Sequence, residues 1–369
     1  MVGTVIQGLI ALDNPDYVYH RWHGTLLTIA IVVLSVLYNV VLCKRLPVLA
    51  QFLFVAHVLG LFATVIPLWI TAPKGKASSV LLKVEDNGGW GNTGLSAMIG
   101  LLPIVGVLNG YDCIAHMSEE INDASKVLPI AMAFSVSLNI MLCLIMGTTL
   151  IFCLGDLDSA MNSTTGQPFI QIYYNATQSR AGTSAMVAIA IMLITSSGVN
   201  ELATSSRQLW AFARDGGLPC SRWLSHVSPG LNIPLRAICV SFTVSCLLAL
   251  INIGSSVALN AINSLGGVAV LFSYMVTISC LVWRRTCGAA LPPRRWTLGK
   301  YGLAVNVAAL IFLAPIIFFY FWPLAQPVTP SNLNWSSLIF SGLLLIAALY
   351  YFVKARHEYV GPVVQVKRE

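Results

Sequence analysis

Flexible residues interrupt an otherwise apolar segment at residues 106–120, "GVLNGYDCIAHMSEE". Pro103 lacks a backbone N–H donor, and Gly106 and Gly110 weaken a helix on either side of the three residues between them. The pattern predicts an outer half-helix, an unwound stretch from Gly106 to Gly110, and an inner half-helix that starts at Tyr111. Unwound backbone is tolerated at membrane depth only where it lines a polar cavity or is covered by protein.

The inner half-helix begins with groups that could bind an ion or a polar ligand. Asp112 supplies a carboxylate near its start, and His116 follows one turn further on. Half-helix ends of this kind offer free N–H and C=O groups and dipole ends to substrates and coupling ions. Asp112 has an alternative role as the N-cap of its own helix. Glu119, Glu120 and Asp123 are expected to lie in solvent beyond the membrane edge.

A second polar segment is "ITSSGVNELATSSRQLW" at residues 194–210, in which Gly198 interrupts the run of polar residues. Glu201 is the other acidic residue deep in an apolar segment, and an intramembrane carboxylate is a functional-site hypothesis by default. For the serines, close helix packing is the simpler interpretation. His57, within "FLFVAHVLGLF", is interpreted either as a buried packing residue or as a coupling residue.

The composition decides the class of protein. Of the 369 residues, 57% are hydrophobic and 9% are charged, whereas soluble domains carry about 25% charged residues. A membrane-spanning helix needs roughly 20 largely apolar residues. Nine such windows occur, which predicts an all-α polytopic membrane protein with the spans 24–43, 48–72, 94–117, 129–153, 183–210, 235–254, 257–283, 301–322 and 336–353.

The basic residues predict the orientation. With the C-terminus in the cytoplasm, the inner segments hold 16 Lys and Arg residues and the outer segments hold 5, which accounts for all 21. This asymmetry obeys the positive-inside rule. The glycosylation sequons at Asn162 and Asn175 then lie outside, in a predicted surface loop at residues 154–182. A third sequon, at Asn334, lies too close to a span end to be used. The nine cysteines are expected to form no disulfide framework.

The beginning of the chain is unusual for this topology. Residues 2–12, "VGTVIQGLIAL", are apolar but only half a span long. They are interpreted as the end of a helix whose start is missing. We therefore expect a truncated form that transports nothing by itself, and about three further spans encoded upstream.

Several motifs resemble one known family. "GYDCIAHMSEEINDASKVLPIAM", "SRQLWAFARDGGLP", "NPDYVYHRWHGTLL" and "LALINIGSSVALNAI" are similar to the fungal amino acid/choline/GABA permeases of the amino acid–polyamine–organocation superfamily. The resemblance implies a LeuT-like inverted-repeat fold, here incomplete, whose nine spans match family helices 4–12. It divides the chain into an outer segment (1–23), a transmembrane permease domain (24–353) and a cytoplasmic tail (354–369).

The resemblance also implies roles for individual residues. The broken segment takes the place of the family's sixth helix, whose matching positions meet the substrate: Gly106, Val107, Leu108, Asn109, Gly110 and Tyr111. Thr195, Ser196 and Ser197 match a region of the eighth helix where sodium-coupled relatives hold an ion. His57 matches the place of a lysine that substitutes for that ion in some proton-coupled members. With Asp112 and Glu201, these residues are the candidates for ion or proton coupling.

The leading functional hypothesis is secondary active transport of amino acids or related amines, of the GABA, choline or polyamine type, by alternating access. The expected partners are that substrate, H⁺ and the lipid bilayer, without nucleic acid, metal or cofactor. The expected location is the plasma membrane. A non-transporting regulator or sensor derived from a permease is the alternative. An enzymatic function is not expected, although "GTSAM" at residues 182–186 faintly resembles a serine-nucleophile motif.

The orientation can be tested by cysteine labelling in intact cells. Because 16 of the 21 basic residues lie on the predicted inner side, an impermeant thiol reagent should label a cysteine placed in the loop 154–182. It should not label a cysteine at Thr297, in the basic loop 284–300. External labelling at Thr297 would show that the orientation is wrong.

Overall fold

The computed structural model describes residues 1–288, 290–291, 294–330 and 332–359, and within them the chain is helical and has no β-strand. The α-helices are α1 (Val2–Asp13), α2 (Arg21–Val41), α3 (Leu46–Thr71), α4 (Ala77–Leu82), α5 (Thr93–Val107), α6 (Ala124–Phe152), α7 (Leu157–Met161), α8 (Pro168–Thr177), α9 (Arg180–Arg214), α10 (Ser221–Leu224), α11 (Leu235–Gly254), α12 (Ser256–Cys287), α13 (Gly302–Tyr320), α14 (Ser336–Tyr350) and α15 (Arg356–Glu358). A 3₁₀-helix follows α5 at Tyr111–Glu120, and a π-helical turn follows α14 at Tyr351–Ala355.

Nine helical segments of the described residues are long and apolar enough to cross a membrane. The shortest has 20 residues, which at 1.5 Å per residue spans a hydrocarbon core of about 30 Å. These segments match the nine predicted spans, so the all-α polytopic fold class is confirmed. The first of them, α2, has 21 residues without an acidic side chain.

The segment at residues 154–182 differs from the predicted surface loop. It contains α7 and α8, and four side chains of α8 are buried: Ile170, Ile172, Tyr173 and Ala176. Burial of these apolar groups fixes α8 against α3 and α9. The prediction used the turn residues of this segment and overlooked its apolar face.

The described chain forms two compact units. The first comprises Met1–Lys83, Leu138–Gly254 and the described residues from His357 onwards. Its largest apolar cluster joins α1, α3, α8 and α9. Glycine allows α1 and α2 to approach closely, because a Cβ atom on Gly3 would overlap the Gly24 carbonyl oxygen and Thr28. Gln7 on α1 donates a hydrogen bond of 2.8 Å to the His20 carbonyl just before α2.

Hydrogen bonds between polar side chains and backbone also link the helices of this unit. The Asn39 amide of α2 donates to the Val199 carbonyl of α9 at 2.9 Å. The Trp69 indole of α3 donates to the Thr149 hydroxyl of α6 at 2.9 Å. Such interhelical bonds contribute about 0.6 kcal/mol on average in a membrane protein, so they add specificity to an otherwise apolar packing.

The second unit comprises Val84–Ser137 and Ser255–Arg356. Its core lies among α5, α12 and α13, where six apolar residues are buried: Ile99, Leu102, Leu271, Leu313, Ile316 and Ile317. The helix α14 packs against α12. This unit therefore contains the interrupted segment together with the helices that support it.

Candidate functional site

The interrupted segment is one candidate span, Thr93–Glu120, with a break in its helical backbone. The helix α5 ends at Val107, the residues 108–110 form a turn, and a 3₁₀-helix starts at Tyr111. Gly110 has φ +103°, in the left-handed region that favours glycine, and a Cβ atom there would meet nothing within 4 Å. The first N–H groups of a new helix have no intrahelical partner, so the break presents polar backbone groups.

The break is shorter than the sequence predicted. Gly106 and Val107, expected to be unwound, are still part of α5. The inner half-helix starts at Tyr111 as predicted, but it is a 3₁₀-helix. The interpretation of Asp112 as an N-cap is wrong, because the cap position is Gly110 and no side chain caps the helix. Asp112 Oδ2 lies instead 3.2 Å from His116 Nε2, across one turn of the same segment.

Tyr320, at the end of α13, fits between two glycines of neighbouring helices. A Cβ atom on Gly267 of α12 would lie 2.8 Å from the Tyr320 ring, and one on Gly106 would lie 3.1 Å from its hydroxyl. The Tyr320 hydroxyl donates a hydrogen bond of 3.0 Å to the Leu102 carbonyl of α5. The two glycines therefore make room for a tyrosine that holds α5 just before the break.

Tyr274 of α12 lies beside the start of the inner half-helix. Its ring centroid is 5.6 Å from that of Tyr111, with 34° between the ring planes. Its hydroxyl has Tyr111 and Asp112 as ionisable neighbours, yet it is buried and makes no hydrogen bond of normal geometry within the described residues. The Tyr274 hydroxyl therefore lies beside the polar groups that follow the break.

The outer end of α5 is fixed by two polar side chains. Asn92 caps the helix, and its Oδ1 accepts from the backbone N–H of Gly94 at 2.9 Å. The Asp86 carboxylate accepts from the Ser96 hydroxyl and from the backbone N–H of Trp90. The Ser96 hydrogen bond and then the Trp90 bond lower the pKa of Asp86 from its ordinary value. Asp86 is therefore ionised at neutral pH and anchors the loop before α5.

The inner end is held by an ion pair. Asp123, expected in free solvent, pairs with Arg295 of the basic loop. Asp123 has φ +54°, and its carbonyl accepts from the backbone N–H groups of Lys126 and Val127 at 3.0 Å each, where α6 begins. The pair is partly exposed, so it orients the loop and adds little stability.

Comparison with known proteins identifies the family. The family profile described as "Amino acid permease" matches residues 1–346 of the chain. The chain belongs to the amino acid permease family. An uncharacterised amino-acid permease of Schizosaccharomyces pombe is 31% identical, over 92% of this chain and 63% of its own length.

Two further relatives carry more specific names. A putative amino acid/polyamine transporter of Macrophomina phaseolina is 29% identical, over 91% of this chain and 75% of its own length. The choline transporter of Saccharomyces cerevisiae is also 29% identical, over 97% of this chain and 63% of its own length. The permease chain thus spans about two thirds of the length of the relatives that it matches.

The other candidate residues of the permease lie on α3 and α9. On α9, the Ser197 hydroxyl donates to Glu201 Oε1 at 3.2 Å, and both residues are exposed. Ser196 bonds instead to the backbone, donating to the Met192 carbonyl at 2.8 Å. Its neighbour Thr195 is half-buried.

His57 on α3 is exposed, so its interpretation as a buried packing residue is wrong. It lies one turn before Gly60, where a Cβ atom would come within 2.6 Å of Ile189 on α9. Its position therefore places it beside the contact between α3 and α9.

The predicted modification sites differ in accessibility. Asn162, at the end of α7, is exposed. Asn175 lies within α8, where its Oδ1 accepts from Gln171 at 2.8 Å and its amide donates to Ser159 at 3.0 Å. All nine cysteines are described and free. The described residues hold no group of three or more His, Cys, Asp or Glu placed to bind a metal.

Sequence reasoning missed the two tyrosines that approach the break. Gly267 of α12 provides a close contact between helices, because a Cβ atom there would lie 2.8 Å from the Tyr320 ring. Neither Tyr320 nor Tyr274 gave a local signal, because the residues that they contact lie far away in the sequence.

Replacing Tyr320 by Phe should lower stability by about 0.5–1.5 kcal/mol, the net contribution of one hydrogen bond. The ring still fits between the glycines, but the Leu102 carbonyl loses a donor. Thermal unfolding in detergent measures the change. Tyr301→Phe is the matched control, because Tyr301 is exposed. An equal loss in both variants would contradict a specific role for Tyr320.

Proposed function

We propose that this permease is a secondary active transporter of amino acids or related amines, of the GABA, choline or polyamine type. The observation that carries the proposal is the break at residues 108–110 of a membrane-spanning segment, in a chain that belongs to the amino acid permease family. Polar backbone at this depth is costly unless it faces water, protein or a ligand. The names of the relatives, which include a choline transporter and a putative amino acid/polyamine transporter, support the substrate class.

The substrate would bind along the break. The contacting residues proposed are Gly106, Val107, Leu108, Asn109, Gly110 and Tyr111. The end of α5 offers carbonyl groups to a substrate ammonium, and the start of the inner half-helix offers N–H groups to an anionic group. Asn109 is half-buried and Gly110 is exposed, so a ligand can approach this backbone. Alternating access would then move the surrounding helices about the bound substrate.

We infer that protons are the coupling ion. Asp112 and His116 are 3.2 Å apart, and such a pair can hold or release one proton next to the break. Glu201 with Ser197 is the second candidate pair, and His57, Thr195 and Ser196 complete the proposed coupling set. Neither a metal nor a cofactor is needed for this cycle.

The proposed location is the plasma membrane, with the C-terminus in the cytoplasm. The support is the asymmetric distribution of the 21 basic residues. The end of the proposed tail, residues 360–369, lies outside the described residues. The outer side would then carry Asn162, whose exposed side chain suits glycosylation better than that of Asn175.

Gly110→Leu tests whether the break lines the substrate path. A leucine must adopt φ +103° at this position, which costs about 1–2 kcal/mol, and its side chain would cover the polar backbone. We expect uptake of labelled amino acids, GABA, choline and polyamines to fall to background, with normal membrane insertion. Gly100→Leu, on α5, is the matched control, because a Cβ atom there also meets nothing within 4 Å but the backbone is helical. Uptake should be measured in a form of the protein whose wild type transports, and each variant is compared with that wild type. Wild-type uptake by Gly110→Leu would place the path elsewhere.

Asp112→Asn tests the coupling role. Asparagine keeps the size of the side chain but cannot carry the proton, so uptake driven by an inward proton gradient should fall at least about tenfold, the effect of roughly 1.4 kcal/mol. Exchange of labelled for unlabelled substrate should be less affected. Asp123→Asn, which removes the same charge at the Arg295 ion pair, should keep gradient-driven uptake. If the Asp112 variant retains it as well, another group carries the proton.

A further inference from the structure

Among the described residues of the second compact unit, six polar side-chain atoms are buried without a hydrogen-bond partner, and three of them lie at the end of α12, near the start of α13 and at the end of α14. These three are Nε of Arg285, Nδ2 of Asn306 and the hydroxyl of Tyr350, and none makes a hydrogen bond within the described residues. The atoms of Arg285 and Asn306 are donors only, and the Tyr350 hydroxyl can donate as well. Buried donors without an acceptor are unfavourable. A ligand that brings acceptor oxygens would satisfy them.

Two of these donors face the same helix contact. A Cβ atom on Gly302, at the start of α13, would lie 3.0 Å from Cζ and 3.0 Å from Nη2 of Arg285. The guanidinium therefore lies directly on α13, and Gly302 is the residue that leaves room for it. Asn306 stands four residues further along α13, on the same face of the helix. Tyr350 is the last residue of α14, and α14 packs against α12, the helix that carries Arg285.

The charge around this contact is positive. Arg284 precedes Arg285 on α12, and Lys300 lies just before α13, with its Nζ 5.2 Å from the Tyr301 ring centroid. Arg295 is occupied by Asp123. Arginine binds phosphoryl groups through two parallel N–H···O bonds. A site of donors and positive charge, without a carboxylate among the donors, is suited to a phosphoryl group.

The position of the contact favours a lipid as the source of that group. In the proposed orientation, the end of α12, the start of α13 and the end of α14 all lie at the cytoplasmic surface. Basic sites between helices on this side bind the head groups of anionic lipids. A guanidinium at the end of a span lies at head-group depth.

We propose that the phosphate of an anionic phospholipid from the cytoplasmic leaflet binds between α12 and α13, with Arg285 and Asn306 as its donors. Lys300 adds positive charge near the head group. The Tyr350 hydroxyl is a third donor at the end of the neighbouring helix. The site lies apart from the break and does not depend on the transported substrate.

The test measures lipid binding to the purified 369-residue chain. Short-chain phosphatidylserine, short-chain phosphatidylcholine and inorganic phosphate are each titrated in detergent, and binding is followed by native mass spectrometry and by thermal unfolding. Arg285→Gln removes the main donor. Arg295→Gln is the matched control, because it removes the same charge from the exposed ion pair with Asp123. Asn306→Ala removes a donor and leaves the charge unchanged.

We expect phosphatidylserine to bind the wild type and Arg295→Gln equally, and Arg285→Gln about tenfold more weakly, the loss expected for one charge-assisted hydrogen bond. Asn306→Ala should also bind more weakly, and it carries the test if Arg285→Gln does not fold. Equal affinity in the Arg285 and Arg295 variants would overturn the proposal, because diffuse charge would then explain binding. Stabilisation by inorganic phosphate as large as that by the lipid would overturn the lipid as the source.

Discussion

A backbone N–H or C=O group in hydrocarbon must find a partner, because no water is present to bind it. This constraint gives the break at residues 108–110 its significance. Eight of the nine candidate spans meet the constraint with long helices within the described residues. The segment Thr93–Glu120 is not a continuous α-helix, because it contains a left-handed glycine and a 3₁₀-helix. A departure of this kind persists only where the surroundings stabilise it or where a ligand uses it.

The second compact unit supplies this stabilisation from both sides of the break. Before the break, Asn92 caps α5 and the Tyr320 hydroxyl binds the Leu102 carbonyl. After it, Asp112 and His116 bond to each other, and Asp123 pairs with Arg295. The Tyr274 hydroxyl lies next to Tyr111 and Asp112 at the start of the inner half-helix. The ends of the segment are thus fixed, whereas the turn between them stays open to a ligand.

The break and the spans could be predicted because their signals are local. Proline and glycine lower helix propensity, so Pro103, Gly106 and Gly110 together predict a weak helix. Hydropathy alone predicts the nine spans. The start of the break was set too early, because the helical hydrogen bonds of α5 extend through Gly106 despite its low propensity. The alternative role of Asp112 as a cap was wrong, because its partner is His116, one turn further on.

The missing parts of the site depend on contacts distant in sequence. Tyr320 meets Gly106 and Leu102 more than 200 residues away, and no window around Tyr320 shows this. The helix α8 was a different kind of omission, because Ile170 and Tyr173 repeat at helical spacing and could have revealed its apolar face. Here the sequence carried a signal that the turn residues concealed.

The most direct test of the central claim is the accessibility of the break itself. A single cysteine replaces Asn109 or Leu101 in a chain whose native cysteines are changed to serine, and a charged thiol reagent is applied with and without substrate. Leu101 is 40% exposed on the apolar half-helix α5, so it serves as the reference. If the break lines a polar path, Asn109→Cys reacts much faster than Leu101→Cys, and substrate slows only the reaction at position 109. Equal rates at both positions, unaffected by substrate, would contradict the account.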